Sequence, residues 1–193
     1  MKGTVDESGI RVFFAVSPGE LGLVELDRLL SELRLQKWGK APRWVAREGL
    51  HMTLRFIASM PEEKISETVE AVAEEVSGIG RFGVELSRLV FFPSGRRPRV
   101  LALAAESAPA LRELARGVEK AVVKTGFKPE RRPFRAHLTL ARLNGGPGLA
   151  ERPPGLARPV AIEVNSVFLY RSRLGRGGPR YTELARLGLR RRG

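Results

Sequence analysis

The sequence predicts an α+β fold with largely antiparallel sheets. Three segments carry apolar residues at three- and four-residue steps, which is the pattern of a helix with one buried face. Between these segments lie extended runs in which apolar and polar residues alternate, as they do in half-buried strands. The strand runs late in the chain lack the crossover helices that parallel pairing requires, so antiparallel pairing is favoured.

The chain opens with a strand followed by a helix. Residues 10–16 are β-branched or aromatic, and they end at Ser17 and Pro18, a typical helix start. An apolar stripe then predicts a helix through about residue 37. The residues of this stripe are Leu23, Leu26, Leu29, Leu30 and Leu33.

Two further helices are predicted at 61–77 and 108–124, the first of them opening at Pro61 with acidic residues in its first turn. Gly- and Pro-rich loops are predicted at 144–159 and 175–179. The predicted extended runs are 50–57, 82–92, 99–105, 136–143, 160–170 and 180–187.

Composition narrows the possible classes of protein. With 193 residues, of which 42% are hydrophobic, the chain can bury a core as a single domain. It lacks both an apolar stretch of about 18 residues and a signal-peptide pattern, so we expect no membrane and a cytoplasmic location. The absence of cysteine excludes thiolate nucleophiles and cysteine-built zinc sites.

The charge balance predicts a polyanionic partner. Basic residues number 34 and acidic residues 21, for a formal net charge of +13. This excess favours phosphate or RNA as the ligand. A low content of glutamine and asparagine, together with the missing cysteine, is typical of a thermophilic source.

One short motif occurs twice, and it contains every histidine of the chain. His51-Met52-Thr53-Leu54 and His137-Leu138-Thr139-Leu140 share the pattern His-x-Thr-Leu. An isolated histidine in a strand is more often a structural residue than a catalyst. Two sole histidines in matched contexts favour catalysis instead.

The spacing predicts how the motif side chains are distributed. Successive side chains of a strand point to opposite faces, so His51 and Thr53 share one face, as do His137 and Thr139. The apolar side chains on the opposite faces are Met52, Leu54, Phe56, Leu138 and Leu140. If the two strands face each other, both imidazoles and both hydroxyls line one cleft.

Such a cleft suits phosphodiester chemistry by in-line displacement. Histidine has an ordinary pKa of about 6.5, so one imidazole can act as base and the other as acid near neutral pH. Threonine hydroxyls can donate hydrogen bonds to the non-bridging oxygens as charge develops there. Two histidines without cysteine or a carboxylate cluster are a poor metal-ligand set, so we predict neither a metal nor a cofactor.

Basic and aromatic residues near the motifs give further candidates. The alternation of a strand places Arg55 and Arg135 on the motif face, where either could hold a phosphate or lie in solvent, and it places Arg142 on the opposite face. The candidates for base stacking are Phe13, Trp44 and Phe56, although aromatic residues in such positions are mostly core. The terminal run 190–192 is expected to be a solvated tail.

With these paired motifs the sequence resembles the two-histidine phosphoesterases, and among them the RNA 2',3'-cyclic phosphodiesterases historically called 2'-5' RNA ligases. Beyond the paired motifs, the resemblance lies in segments 11–15, 44–45, 92–93, 97–100 and 178–181. Two positions depart from the family pattern. Ala58 stands where a glycine commonly follows the first motif strand, and Ala136 stands where a proline commonly precedes the second histidine.

The resemblance implies a single bilobal domain over 1–193 with pseudo-twofold symmetry, two mostly antiparallel sheets, helices on the outer faces and a central cleft. Each lobe would carry one motif, around 51–54 and 137–140. The implied reaction is hydrolysis of an RNA 2',3'-cyclic phosphate end to a 2'-phosphate, with Thr53 and Thr139 binding phosphate. His51 would be the acid towards the 3' oxygen and His137 the base, although the pseudo-symmetry makes the two roles interchangeable.

Three alternatives remain open at this stage. The chemistry could run in reverse as 2'-5' ligation, or the chain could be a non-catalytic RNA-binding module. It could also act on a small cyclic nucleotide, in which case the basic surface would be incidental. The expected partner is an RNA end, such as a tRNA fragment, and the expected state is a monomer.

Overall fold

The computed structural model describes residues 9–36, 42–93, 97–143, 153–175 and 178–191, which contain three α-helices and ten strands. The helices are α1 (Gly19–Arg34), α2 (Lys64–Val76) and α3 (Pro109–Lys124). The strands are β1 (Ile10–Val16), β2 (Arg43–Trp44), β3 (Met52–Met60), β4 (Phe82–Leu86), β5 (Arg88–Phe92), β6 (Val100–Ala104), β7 (His137–Arg142), β8 (Val160–Val164), β9 (Ser166–Gly175) and β10 (Gly178–Gly188).

These strands form two four-stranded sheets and one two-stranded sheet. The first sheet has the order β10-β9-β1-β3, the second has the order β2-β7-β6-β5, and β4 pairs with β8 alone. Every pair of these strands in the described part of the chain is antiparallel. The predicted α+β class with antiparallel sheets is confirmed.

The helices occupy the segments that their apolar stripes predicted. In α1 the stripe residues Leu26, Leu30 and Leu33 are buried, and the helix ends at Arg34 rather than near residue 37. The second helix starts three residues later than predicted, because the segment after Pro61 is a turn in which the Lys64 amide donates to the Pro61 carbonyl over 3.0 Å. Each stripe packs into the core.

Two predicted extended runs each divide into strands of different sheets. The run 82–92 separates at Ser87 into β4 and β5, and the run 160–170 separates at Asn165 into β8 and β9. The first parts of the two runs, β4 and β8, pair with each other as the two-stranded sheet. An alternating pattern identifies strands, but it does not show which other strand each of them pairs with.

The ends of the predicted loops and of the tail also differ from expectation. Residues 153–159 have no regular structure, whereas 144–152 lie outside the described residues. The loop predicted at 175–179 is shorter, because β9 and β10 pair up to Gly175 opposite Gly178. A solvated tail is wrong for Arg190, whose amide and carbonyl bond the backbone of Ile79 and Arg81.

Buried side chains from the sheets and all three helices form a continuous apolar core. The motif strands contribute to it through Met52 and Leu54 on β3 and through Leu138 and Leu140 on β7. These contacts fix the two strands on the side away from the motif histidines. Within the described ranges, none of the helices has the length and apolar character needed to cross a bilayer.

Candidate active site

A cleft of about 950 Å³ lies between the first and second sheets. His51 and Thr53 line it from the side of β3, and His137 and Thr139 line it from β7. Residues that are far apart in the chain are therefore brought together at one surface. The four residues that the repeated motif singled out share a single cavity.

Each imidazole is held in the same way. The Nδ1 atom of His51 lies 2.8 Å from the Gly49 carbonyl oxygen, and the Nδ1 atom of His137 lies 2.8 Å from the Arg135 carbonyl oxygen. A carbonyl can only accept, so Nδ1 carries the proton and Nε2 is left unprotonated in the neutral ring. Both rings therefore present the nitrogen that can take up or release a proton.

Aromatic side chains enclose His51. The ring of Phe13 stacks on it with centroids 4.7 Å apart, and Tyr181 contacts it edge-on at 5.1 Å. Burial lowers the pKa of His51 to about 4, the Gly49 carbonyl opposes this, and the charges of His137 and Arg142 lower it further. His51 is therefore neutral at pH 7.

His137 has a different neighbourhood. Its one aromatic contact within the described ranges is Phe92, with centroids 5.2 Å apart and a tilt of 58°. It lies at the start of β7, where the chain passes from the largely exposed segment 131–135 into the buried strand. The two motif histidines thus differ in their surroundings and agree in how Nδ1 is held.

Both motif strands contain a β-bulge at the motif leucine. In β3, Thr53 lies opposite Ala15 and Arg55 lies opposite Phe14, so Leu54 has no opposite residue. In β7 the same register shift isolates Leu140, because Thr139 and Ala141 oppose consecutive residues of β6. Each bulge adds one residue and reverses the alternation beyond it.

The reversal exchanges the faces of the residues that follow each motif. Phe56 lies opposite Phe13, two residues from the partner of Thr53, so Phe56 shares the cleft face with Thr53. Likewise Arg142 lies opposite Val100, two residues from the partner of Thr139. Both Phe56 and Arg142 line the cleft, so the faces predicted for them were wrong.

Arg55 points away from the cleft, contrary to its predicted face. Its Nε lies 2.6 Å from Glu119 Oε2 on α3, and its Nη2 donates to the Lys128 carbonyl over 2.5 Å. The side chain is 10% exposed. The bulge at Leu54 directs Arg55 to the helix side, where it joins β3 to α3.

Arg135 contributes its backbone to the site. Its carbonyl holds Nδ1 of His137, but its side chain is exposed and is not among the residues that line the cleft. It lies two residues before His137, where β7 begins, so the alternation of a strand does not apply to it.

Other arginines supply the positive charge of the cleft. They are Arg11, Arg43, Arg142 and Arg180. In the part of the chain that the structure describes, none of them forms an ion pair with a carboxylate. Arg43 and Arg142 are direct cross-strand partners, an arrangement of like charges that favours a bound anion.

Sequence reasoning missed several of these residues. Arg43 belongs to a two-residue strand that is too short for a periodic signal, and Tyr181 reaches His51 only through the pairing of β10 with β9. Arg142 was assigned to the wrong face because a bulge is invisible in the hydrophobic pattern. The aromatic Phe13 is 3% exposed and covers His51, so it is not a free stacking surface for a base.

The side chains that line the cleft indicate what kind of ligand it can hold. Across the described ranges, no group of three or more His, Cys, Asp or Glu residues is placed to hold a metal ion. Among the described residues, the cleft lining has two imidazoles and four guanidinium groups against the one carboxylate of Glu48, a balance of charge that matches an anionic substrate.

An antiparallel α+β fold whose cleft carries two His-x-Thr motifs defines a two-histidine phosphoesterase. Residues 24–176 match the 2'-5' RNA ligase superfamily, and the chain belongs to this family. It is 36% identical over 152 residues to the RNA 2',3'-cyclic phosphodiesterase of Aeropyrum pernix, in a match that covers 76% of this chain and 85% of that protein.

Solved structures agree with the fold. A crystal structure of a Thermus thermophilus protein is similar with a TM-score of 0.81 and 28% identity, over 95% of this chain and 100% of that one. Escherichia coli LigT in complex with 3'-AMP is similar with a TM-score of 0.76 and 25% identity, over 94% and 98% of the two chains.

Proposed function

We propose that this protein hydrolyses RNA 2',3'-cyclic phosphate ends to 2'-phosphates without a metal ion. The observation that carries the proposal is the common cleft in which two imidazoles, each with its Nδ1 held by a carbonyl, face a basic surface. The activity for which the Aeropyrum pernix relative is named supports it.

The reaction needs two proton transfers on opposite sides of phosphorus. One neutral imidazole removes a proton from water as the water oxygen forms a bond to phosphorus. The bond between phosphorus and the 3' oxygen breaks, and the other imidazole, protonated at Nε2, gives its proton to that oxygen. The product is a 2'-phosphate monoester and a 3'-hydroxyl, and the two histidines exchange protonation states.

The environment of His51 favours it as the base. Its pKa of about 4 keeps it neutral at pH 7, with Nε2 free to accept a proton. We therefore assign the acid to His137, the reverse of the assignment that the family resemblance implies. A substrate whose bridging 3' oxygen is replaced by sulfur separates the two assignments, because a thiolate leaves without a proton donor.

With that sulfur substrate, the variant lacking the acid should recover activity and the variant lacking the base should not. Our assignment expects recovery in His137→Ala only. Recovery in His51→Ala only would restore the assignment implied by the resemblance.

Threonine and arginine side chains would stabilise the transition state. The hydroxyls of Thr53 and Thr139 line the cleft and can donate to the non-bridging oxygens. The cross-strand pair Arg43 and Arg142 would neutralise the charge that accumulates there. We propose that these four groups hold the reacting phosphate.

The direct test is incubation with an RNA that carries a 2',3'-cyclic phosphate, in the presence of EDTA. The expected product is a 2'-phosphate, and turnover should disappear in His51→Ala and in His137→Ala. Turnover that EDTA abolishes would contradict the metal-independent mechanism, and a 3'-phosphate product would contradict the leaving group. A non-catalytic binding module would instead bind RNA without forming product.

The same geometry allows ligation if the 5'-hydroxyl of a second RNA replaces water. Because water is present at about 55 M, hydrolysis is the favoured direction unless two ends are held together. A tRNA fragment as substrate, a monomeric state and a cytoplasmic location stay predictions. A ligation assay with paired tRNA halves tests the reverse reaction.

A further inference from the structure

Arg11 is a cleft arginine that the chemistry of the two histidines does not require. It lies on β1 two residues before Phe13, the ring that stacks on His51. Two residues of a strand span about 6.6 Å, so the backbone of Arg11 lies about that far along β1 from the residue whose ring covers His51. That displacement is comparable with the separation of successive phosphates in an RNA strand.

The guanidinium of Arg11 is held in place by an aromatic ring. Its carbon lies 5.0 Å from the ring centroid of Phe56, which is a cation–π arrangement. A guanidinium that rests on a ring keeps its N–H edge available to an anion, and its orientation is fixed before binding. Phe56 is brought to this face by the bulge at Leu54 and is 36% exposed.

Within the residues that the structure describes, Arg11 forms no ion pair with a carboxylate, although the chain has 21 acidic residues. Other exposed arginines, such as Arg28 and Arg158, do pair with a carboxylate. The cleft volume of about 950 Å³ also lies at the upper end of the range of about 300–1,000 Å³ found for small-molecule sites. The cleft therefore has more volume and more positive charge than one reacting phosphate requires.

We propose that Arg11, supported by Phe56, binds the phosphodiester immediately 5' of the terminal nucleotide. This inference rests on the proposed function, and it specifies the substrate as an RNA chain of at least two nucleotides. The terminal cyclic phosphate lies between His51 and His137, and the preceding phosphate lies at Arg11. A nucleoside 2',3'-cyclic phosphate leaves the Arg11 site empty.

The test compares kcat/KM for a nucleoside 2',3'-cyclic phosphate with kcat/KM for the dinucleotide that carries the same end. A charge-assisted contact predicts a preference of about tenfold or more for the dinucleotide. Replacing the internucleotide phosphate by a neutral methylphosphonate should remove most of this preference in the wild-type protein. That substitution isolates the charge from any contact with the additional base.

Variants assign the effect to one arginine. In Arg11→Gln, the ratio of dinucleotide to mononucleotide kcat/KM should fall towards one, and the methylphosphonate should no longer make a difference. Phe56→Leu should lower the ratio less, because the arginine remains but loses its support. Arg112→Gln, on the exposed face of α3, removes the same charge at a distance and should leave the ratio at its wild-type value.

The outcomes separate the inference from the proposed function. Equal hydrolysis of the two substrates, or a preference that survives the methylphosphonate, would overturn the Arg11 site and leave the hydrolase intact. A fall of the ratio in Arg112→Gln equal to that in Arg11→Gln would mean general attraction by the net charge, and would overturn it too. If no cyclic phosphate is hydrolysed, the proposed function itself fails.

Discussion

The strands β3 and β7 carry the same motif in different environments. In both, a carbonyl two residues upstream holds Nδ1 of the histidine, and in both the motif leucine forms a bulge. His51 is enclosed by Phe13 and Tyr181, whereas His137 contacts Phe92. Residues near in sequence set how each ring is oriented, and residues near in space set the protonation of His51.

The difference between the two strands continues beyond each bulge. At equivalent positions after the motif, β3 places Phe56 in the cleft and β7 places Arg142 there. Equal backbone geometry thus delivers an aromatic ring on one side and a cation on the other. In our proposals, Arg142 adds charge at the reacting phosphate, whereas Phe56 supports Arg11 at the flanking phosphate.

The largest expected effect tests whether the two motifs are equally required. His51→Ala and His137→Ala should each lower kcat on a cyclic-phosphate RNA by about 10²–10⁴-fold, because each removes one proton transfer. Steady-state kinetics with EDTA measures the loss, and thermal melting checks that each variant is folded. A variant that retains full kcat would break the comparison, since one motif would then be dispensable.

The next prediction concerns the pH dependence of stability, which tests whether the environment of His51 lowers its pKa. The pKa of His51 is about 4 in the folded protein and about 6.5 when unfolded, so the unfolded chain binds the extra proton between these values. Stability from this group is therefore fully present above pH 6.5 and is lost as the pH falls to about 4. The loss approaches ~3 kcal/mol, at about 1.36 kcal/mol for each unit of pKa difference.

Urea denaturation across this range measures the loss, with His51→Leu as the comparison because its stability lacks this titration. An NMR titration gives a direct reading, since the chain contains 2 histidines. A His51 ring that titrates near pH 6.5 would mean that its aromatic enclosure does not desolvate it.

Arg55 provides a third comparison, between a residue that stabilises β3 and one that serves the cleft. Arg55→Ala should reduce the free energy of unfolding by about 2 kcal/mol, because it leaves Glu119 without its ion-pair partner. The kcat of the folded variant should change less than about twofold. Arg132→Ala is the matched control, since that side chain is 89% exposed and should cost almost nothing.

Loss of kcat in Arg55→Ala without loss of stability would return Arg55 to the phosphate-binding role that strand alternation predicted. Urea denaturation and steady-state kinetics on the same preparation distinguish the two outcomes.

The smallest effect concerns the hydroxyls. Thr53→Val and Thr139→Val should each lower kcat about tenfold, because each removes one hydrogen-bond donor to a charged oxygen. Thr182→Val on β10, outside the cleft lining, should leave kcat unchanged. Unequal losses in the two motif variants would show which strand carries more of the developing charge.

The elements of this fold were largely predictable because local periodicity encodes them. The leucine stripe of α1 and the alternation in 136–143 depend on neighbours along the chain, and both identify the observed elements. The division of 82–92 between two sheets was not predicted. Polar Ser87 and Arg88 interrupt the alternation between Leu86 and Leu89, but the pattern does not show that β4 pairs with β8 while β5 pairs with β6. Which strands pair depends on tertiary contacts, and these are not encoded in the local pattern.

Within the site, the sequence by itself determined that His51, Thr53, His137 and Thr139 belong together, since the repeated motif and the two-residue period require no knowledge of partners. Only the tertiary structure decided the rest. A bulge forms when facing strands differ in register, so the faces of Arg55 and Arg142 depend on β1 and β6. The pKa of His51 depends on desolvation by side chains that the fold, not the local sequence, brings against it.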